Sequence, residues 1–135
     1  MAKPLLFDVH THIQFAAYEA DAKEVAARAL DAHTWLVNVG TKRETSEQAI
    51  VFAHHYPEGV YATVGLHPTH TAKSYHDEKE SSVAPEGEEF DYELYKKMAE
   101  DDKVVAIGEC GLDYFRLTEE TKALQQKVFK EHIKL

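Results

Sequence analysis

Four short apolar runs, each followed by a stretch with helical spacing, leave this chain few ways to fold. The runs cover residues 5–9, 35–39, 60–66 and 104–108. After the first, Asp21 with Glu24 three residues on forms a capping box, and Val25, Ala26, Ala29 and Leu30 repeat at helical spacing. After the second, Thr45 with Gln48 forms another, ahead of Ala49, Ile50, Phe52 and Ala53. Leu94, Tyr95 and Met98 place a third helix. Thr118 is expected to cap a fourth, with Glu119 and Glu120 in its first turn, where carboxylates complement the helix dipole.

Near-continuous apolar strands alternating with helices imply a parallel sheet covered on both faces. Four βα units in 135 residues extrapolate to roughly 270 residues for eight, the usual size of a (β/α)8 barrel. A doubly wound open sheet also fits the alternation, but it usually carries a glycine-rich turn after its first strand, and none follows Val9. The expected fold class is therefore α/β, a (βα)4 half of a TIM-type barrel with parallel strands. Residues 1–135 would form a single, incomplete domain. Leu124, Val128, His132 and Leu135 continue an apolar stripe to the last residue, and an open half leaves two sheet edges uncovered.

The chain carries 15 basic and 24 acidic residues, a net charge of −9, the wrong sign for unaided phosphate binding. That charge is concentrated. Residues 77–102 hold eleven acidic and three basic side chains, a net of −8, in a stretch that reads as a solvated loop leading into a helix, or as a lid over a neighbouring site. The single Cys110 excludes an internal disulfide and an all-cysteine zinc site. No apolar run approaches the ~18 residues of a membrane helix, and a charge follows the first three apolar residues, so no membrane contact is expected and the cytoplasm is the expected compartment.

Nine histidines are many for so short a chain. His10 and His12 close the first strand and, by simple alternation, share a face with Asp8. Two imidazoles at that spacing can bind one metal ion, at the strand ends where parallel barrels keep their sites. The alternative is two polar residues finishing a strand. Glu109 follows the fourth strand between glycines, and Val105, Ile107 and Glu109 are expected on one face. A carboxylate delivered there requires a cation, either a metal or a neighbouring lysine or arginine. His67 reaches the same rim, to meet a phosphate or a metal-bound water, or to fix the turn at Pro68. Asp113 and Tyr114 follow closely enough to reach the site, and Arg116 is a candidate phosphate contact. Cys110 is read as packing, His70 is ambiguous, and His33, His54, His55, His76 and His132 are assigned solvent or capping roles.

Asp8-Val9-His10-Thr11-His12, Val64-Gly65-Leu66-His67-Pro68 and Ile107-Gly108-Glu109-Cys110-Gly111-Leu112-Asp113-Tyr114, in this order, resemble the TatD-like metal-dependent deoxyribonucleases, a branch of the amidohydrolase-type barrels. Gln125-Gln126 with Phe129 is similar to that family's fourth helix. The resemblance implies two divalent ions (Mg, Mn or Zn), with His10 and His12 on one and Glu109 bridging both. It implies that the remaining ligands lie on later strands. It implies His67 as a site residue near substrate; with the positional readings above, Glu109, His67 and Asp113 are the expected catalytic residues, and His67, Tyr114 and Arg116 the expected substrate contacts. The implied reaction is hydrolysis of a phosphodiester in DNA, or of a small phosphoester. Bound cations would invert the local potential of so acidic a protein. A homodimer in which two halves close one barrel and a catalytically inactive interaction module are the competing readings.

Overall fold

The computed structural model describes residues 3–73, 77–81, 87–116 and 119–135. Strands β1 (Leu6–Thr11), β2 (Thr34–Val39), β3 (Val60–Val64) and β4 (Val104–Ile107) alternate with helices α1 (Ala22–Asp31), α2 (Arg43–His54), α3 (Tyr92–Ala99) and α4 (Lys122–Lys134). All neighbouring strands pair in parallel, in the order β1-β2-β3-β4. Chain order and spatial order coincide, so each βα unit adds the next strand on the same side of the sheet. Among the described residues no helix is long and apolar enough to cross a membrane.

The helix-facing side of the sheet forms two clusters. Leu36 packs with Ile13 and Ala26, while Val64 and Leu66 pack with Tyr95, Met98 and Val128. The opposite face carries aromatic rings, with Phe7 5.7 Å from Trp35 and 6.1 Å from Tyr61. The inner strands β2 and β3 are buried, whereas Leu6, Phe7 and Val9 of β1 and Val105 of β4 are exposed.

Two irregularities correct the expected alternation. Asp8 pairs with Leu36 and Thr11 with Asn38, so three steps of β1 match two of β2. This bulge puts Asp8 and Thr11 on the helix side and turns His10 and His12 to the other face; they do not share one with Asp8. Thr11 Oγ1 donates to Asn38 Oδ1 at 2.7 Å and holds the bulge. Likewise Val104 pairs with Ala62 and Ala106 with Thr63. Ile107 therefore joins Val104 in packing on the helix-side core, and Glu109 lies beyond the strand rather than in phase with Val105 and Ile107.

Helix starts differ from expectation for local reasons. Asp21 stands at the N-cap of α1 without a side-chain capping bond. α2 begins two residues ahead of Thr45, whose hydroxyl instead accepts from the Lys42 and Thr41 amides at 3.0 and 2.9 Å. Asp91 caps α3 by accepting from Leu94 N at 3.1 Å. Glu119 and Glu120 sit in a short 3-10 turn before α4, and Thr118 and His76 lie outside the described residues. On α4 the buried stripe runs through Gln125, Val128 and His132, not Leu124. His132 is no solvent group: its Nε2 accepts from Leu66 N at 3.0 Å while its Nδ1 donates to Val128 O at 2.9 Å. Burial holds its pKa below the ordinary value, so a neutral imidazole ties α4 to the end of β3.

Candidate metal centre

The strand ends carry the polar groups. His10 and His12 Nε2 lie 3.1 Å apart, and both face Glu109 Oε2, at 3.7 and 3.9 Å. One donor atom from each of these three residues lies within 4.8 Å of the others. A flat sheet would hold β1 and β4 three strand spacings apart, about 14 Å. Their meeting therefore requires the sheet to curl toward this mouth.

His12 and His67 are each set by the second ring nitrogen. His12 Nδ1 lies 2.9 Å from Val39 O, which can only accept, so Nδ1 carries the proton and Nε2 presents a lone pair. The His12 ring stacks on Phe15 at 4.3 Å, and burial lowers its pKa. His67 is wired the opposite way. Its Nδ1 accepts from Thr69 N at 3.2 Å, so the neutral ring carries its proton on Nε2, 3.6 Å from Glu109 Oε1. Burial lowers this pKa too. His12 thus offers an electron pair, and His67 offers an N–H.

Two imidazoles and a carboxylate converging on one point, one imidazole with a free lone pair, fit a borderline divalent ion. His10, His12 and Glu109 are the residues that would hold it.

Glu109 is placed by backbone. Its N–H donates to Gly40 O at 2.7 Å, and Gly108 N donates to Val64 O at 2.9 Å. Gly65 lies beneath; a Cβ there would stand 2.7 Å from both Glu109 O and the Gly108 carbonyl carbon. Because both neighbours are backbone, Gly65→Ala is expected to displace Glu109, costing about 1–3 kcal/mol of stability and reducing divalent-ion affinity. Urea unfolding and metal titration of the same variant check both effects.

A cavity of about 730 Å³ opens over these groups. One wall comes from residues 77–81 of the acidic segment, held in place where Ala16 N and Ala17 N donate to Glu80 O and Lys79 O at 3.2 and 2.9 Å. Glu80 Oε1 accepts from His70 Nε2 at 2.9 Å and from the Thr41 hydroxyl. Burial would raise the Glu80 pKa, but these two bonds outweigh it and hold the carboxyl below its ordinary value. Thr41, Glu80, Phe15 and Phe115 line the cavity without having been singled out in the sequence.

Residues 7–135 match the family model described as TatD related DNase. The chain belongs to the TatD family. It is 35% identical over 131 residues to the 3'-5' ssDNA/RNA exonuclease TatD of Cronobacter sakazakii, a match covering 96% of this chain and 44% of that protein. It is 33% identical over 132 residues to the uncharacterized metal-dependent hydrolase YabD of Bacillus subtilis, covering 97% and 46%. Among solved structures, YjjV, a TatD homolog from Escherichia coli K12, superposes with a TM-score of 0.69 at 28% identity, over 96% of this chain and 45% of that one. The chain thus spans somewhat under half the length of these TatD relatives.

Beyond Glu109 this TatD chain makes a tight turn whose residues go to different places. The Asp113 backbone is clamped by the buried Gln125, which accepts from Asp113 N at 2.8 Å and donates to Asp113 O at 3.1 Å. The Asp113 carboxylate accepts from the amides of Arg116 and Phe115 at 2.9 and 3.0 Å and pairs with Arg116 Nη1 at 3.0 Å. Those bonds, the Arg116 amide first, hold its pKa below the usual carboxylate range. Tyr114 turns toward α4, accepting from Gln126 Nε2 at 3.0 Å with Lys122 Nζ 4.9 Å from its ring centre. Of the residues after Glu109, Phe115 and Arg116 line the cavity. Cys110 is half-buried, and burial raises its thiol pKa.

Proposed function

We propose that this chain supplies four of the eight βα units of a TatD-type barrel and, with them, part of a metal centre that hydrolyses phosphodiester bonds of DNA. The observation that carries this reading is the convergence of His10 and His12, from one edge of the sheet, with Glu109, from the other. Curling that brings opposite edges toward one mouth supports a half-barrel occupying residues 1–135.

His10, His12 and Glu109 would hold divalent ions here, two of Mg, Mn or Zn in a complete site, with the remaining ligands supplied by strands outside this sequence. When bound, such ions supply positive charge that neutralises phosphate oxygens and acidifies water. This chain's residues do the rest. The N–H on His67 Nε2 is free to donate to a non-bridging phosphate oxygen. Asp113 builds the turn that carries Phe115 and Arg116 to the rim, and Arg116 is the remaining substrate contact in this reading, whereas Tyr114, held against α4 by Gln126, is not one. The activity for which the Cronobacter relative is named, exonucleolytic action on single-stranded DNA or RNA, supports nucleic acid over a small phosphoester.

The test is degradation of a 3'-labelled single-stranded oligonucleotide by the 135-residue chain with Mn2+. Slow, ion-dependent cleavage that disappears in His10→Ala/His12→Ala is expected; cleavage surviving that change would refute the site. The exposed edge side chains Leu6, Phe7, Val9 and Val105 favour a second reading. In it two copies pair to close one barrel, and light scattering would then return twice the 15.3 kDa mass. A strict monomer without ion-dependent cleavage would leave the inactive module.

A further inference from the structure

Phe115 is 94% exposed, more than any other large apolar side chain among the described residues. It is not on a loose tip. Two hydrogen bonds from Gln125 clamp the backbone of Asp113, and the Asp113 carboxylate caps the amides of Phe115 and Arg116. The product of this turn is a benzyl group held in water at the rim of the cavity that contains His12, His67 and Glu109. A second ring, Phe15, lines the same cavity and is itself stacked on His12.

The charges there make an aromatic useful. Asp77, Glu80 and Glu109 all line the cavity, and its one guanidinium, Arg116, is already paired with Asp113. Beyond the contacts at the reacting phosphate, such a mouth lacks the array of side-chain cations that is the usual and salt-sensitive source of nucleic-acid affinity. An uncharged attraction for the base remains available. Bases stack on aromatic rings whatever their identity, but only when unpaired.

We propose that Phe115 is a stacking platform for an unpaired nucleobase, determining selectivity for single-stranded over duplex substrate at this mouth. The proposal rests on the nucleic-acid reading of the site given above. Its test is fluorescence anisotropy with the 135-residue chain, Mn2+ and a labelled, hydrolysis-resistant phosphorothioate oligothymidylate of about ten nucleotides. Phe115→Ala is expected to weaken binding about fivefold or more, by the same factor at about 50 and about 200 mM salt. Phe115→Trp is expected to restore it. An abasic oligonucleotide of equal length should bind wild type and Phe115→Ala alike. Unchanged affinity in Phe115→Ala, or an equal loss with the abasic strand, would overturn the platform. So would a lowered melting temperature with unchanged affinity, because that pattern marks a ring covered by polypeptide. If wild type binds no oligonucleotide, the nucleic-acid reading fails and the platform falls with it; if wild type binds and Phe115→Ala binds equally, only the platform fails.

Discussion

Replacing His10 and His12 together by alanine is expected to abolish stoichiometric divalent-ion binding while the chain stays folded. His10 is exposed and its ring contacts only other mouth residues, so the fold does not rest on it. His12 gives up one bond to Val39 O and its stacking on Phe15, both at the rim of the sheet. The ion loses two of the three donors that converge here. Removing a single outer-shell partner of a metal ligand commonly costs 10–100-fold in affinity, so losing two ligands is expected to exceed about 100-fold. Dialysis against Zn2+ or Mn2+ followed by elemental analysis reads the outcome directly. A double variant that still holds one ion per chain would place the metal elsewhere; among the described residues the other acid–histidine cluster is His54 with Asp101 and Asp102, where the imidazole already lies 3.0 Å from Asp101.

The largest loss of stability is expected from Tyr95→Ala, about 3–5 kcal/mol by urea unfolding. Tyr95 is fully buried, lies parallel to Phe90 at 4.7 Å and packs with Val64, Leu66 and Val128, so its removal opens the core shared by α3, α4 and β3. Its hydroxyl adds a separate function. It donates to Glu88 Oε1 at 2.6 Å, and burial pushes the phenol pKa far above its usual range, so the donor is always protonated. Tyr95→Phe keeps the packing and removes that bond, at an expected cost of about 1.5–3 kcal/mol for a bond to a charged acceptor. Equal losses in the two variants would contradict the division between ring and hydroxyl.

Much of this was legible because it depends on residue identity and spacing. The four strands, their parallel pairing and the gathering of His10, His12, His67 and Glu109 at one end follow from apolar runs and from which residues end them. Register does not follow from spacing. Whether Asp8 or Phe7 shares a face with His10 turns on one inserted residue, and that insertion shows only when β1 is laid against β2. The burial of His132 had a signal, its place on the α4 stripe with Val128, but an imidazole there is indistinguishable from a surface one until its two partners are known. The role of Gln125 was hidden for the related reason that its amide is spent on the Asp113 backbone, a partner twelve residues away. Phe115 carried no periodic signal, since a single aromatic in a turn acquires meaning only from what it overhangs.

The curl of the sheet makes ion binding a matter of thermodynamic linkage as well as chemistry. The donors belong to the two outermost strands, whereas the buried strands β2 and β3 lie between them. An ion held by His10, His12 and Glu109 would act as a clasp between the least protected parts of the fold, closing the open side of an arc. Because such a ligand binds the curled form alone, occupancy at a hundred times the dissociation constant would add about 2.7 kcal/mol to the folding free energy. Metal supply would then govern how long the outer strands stay in place.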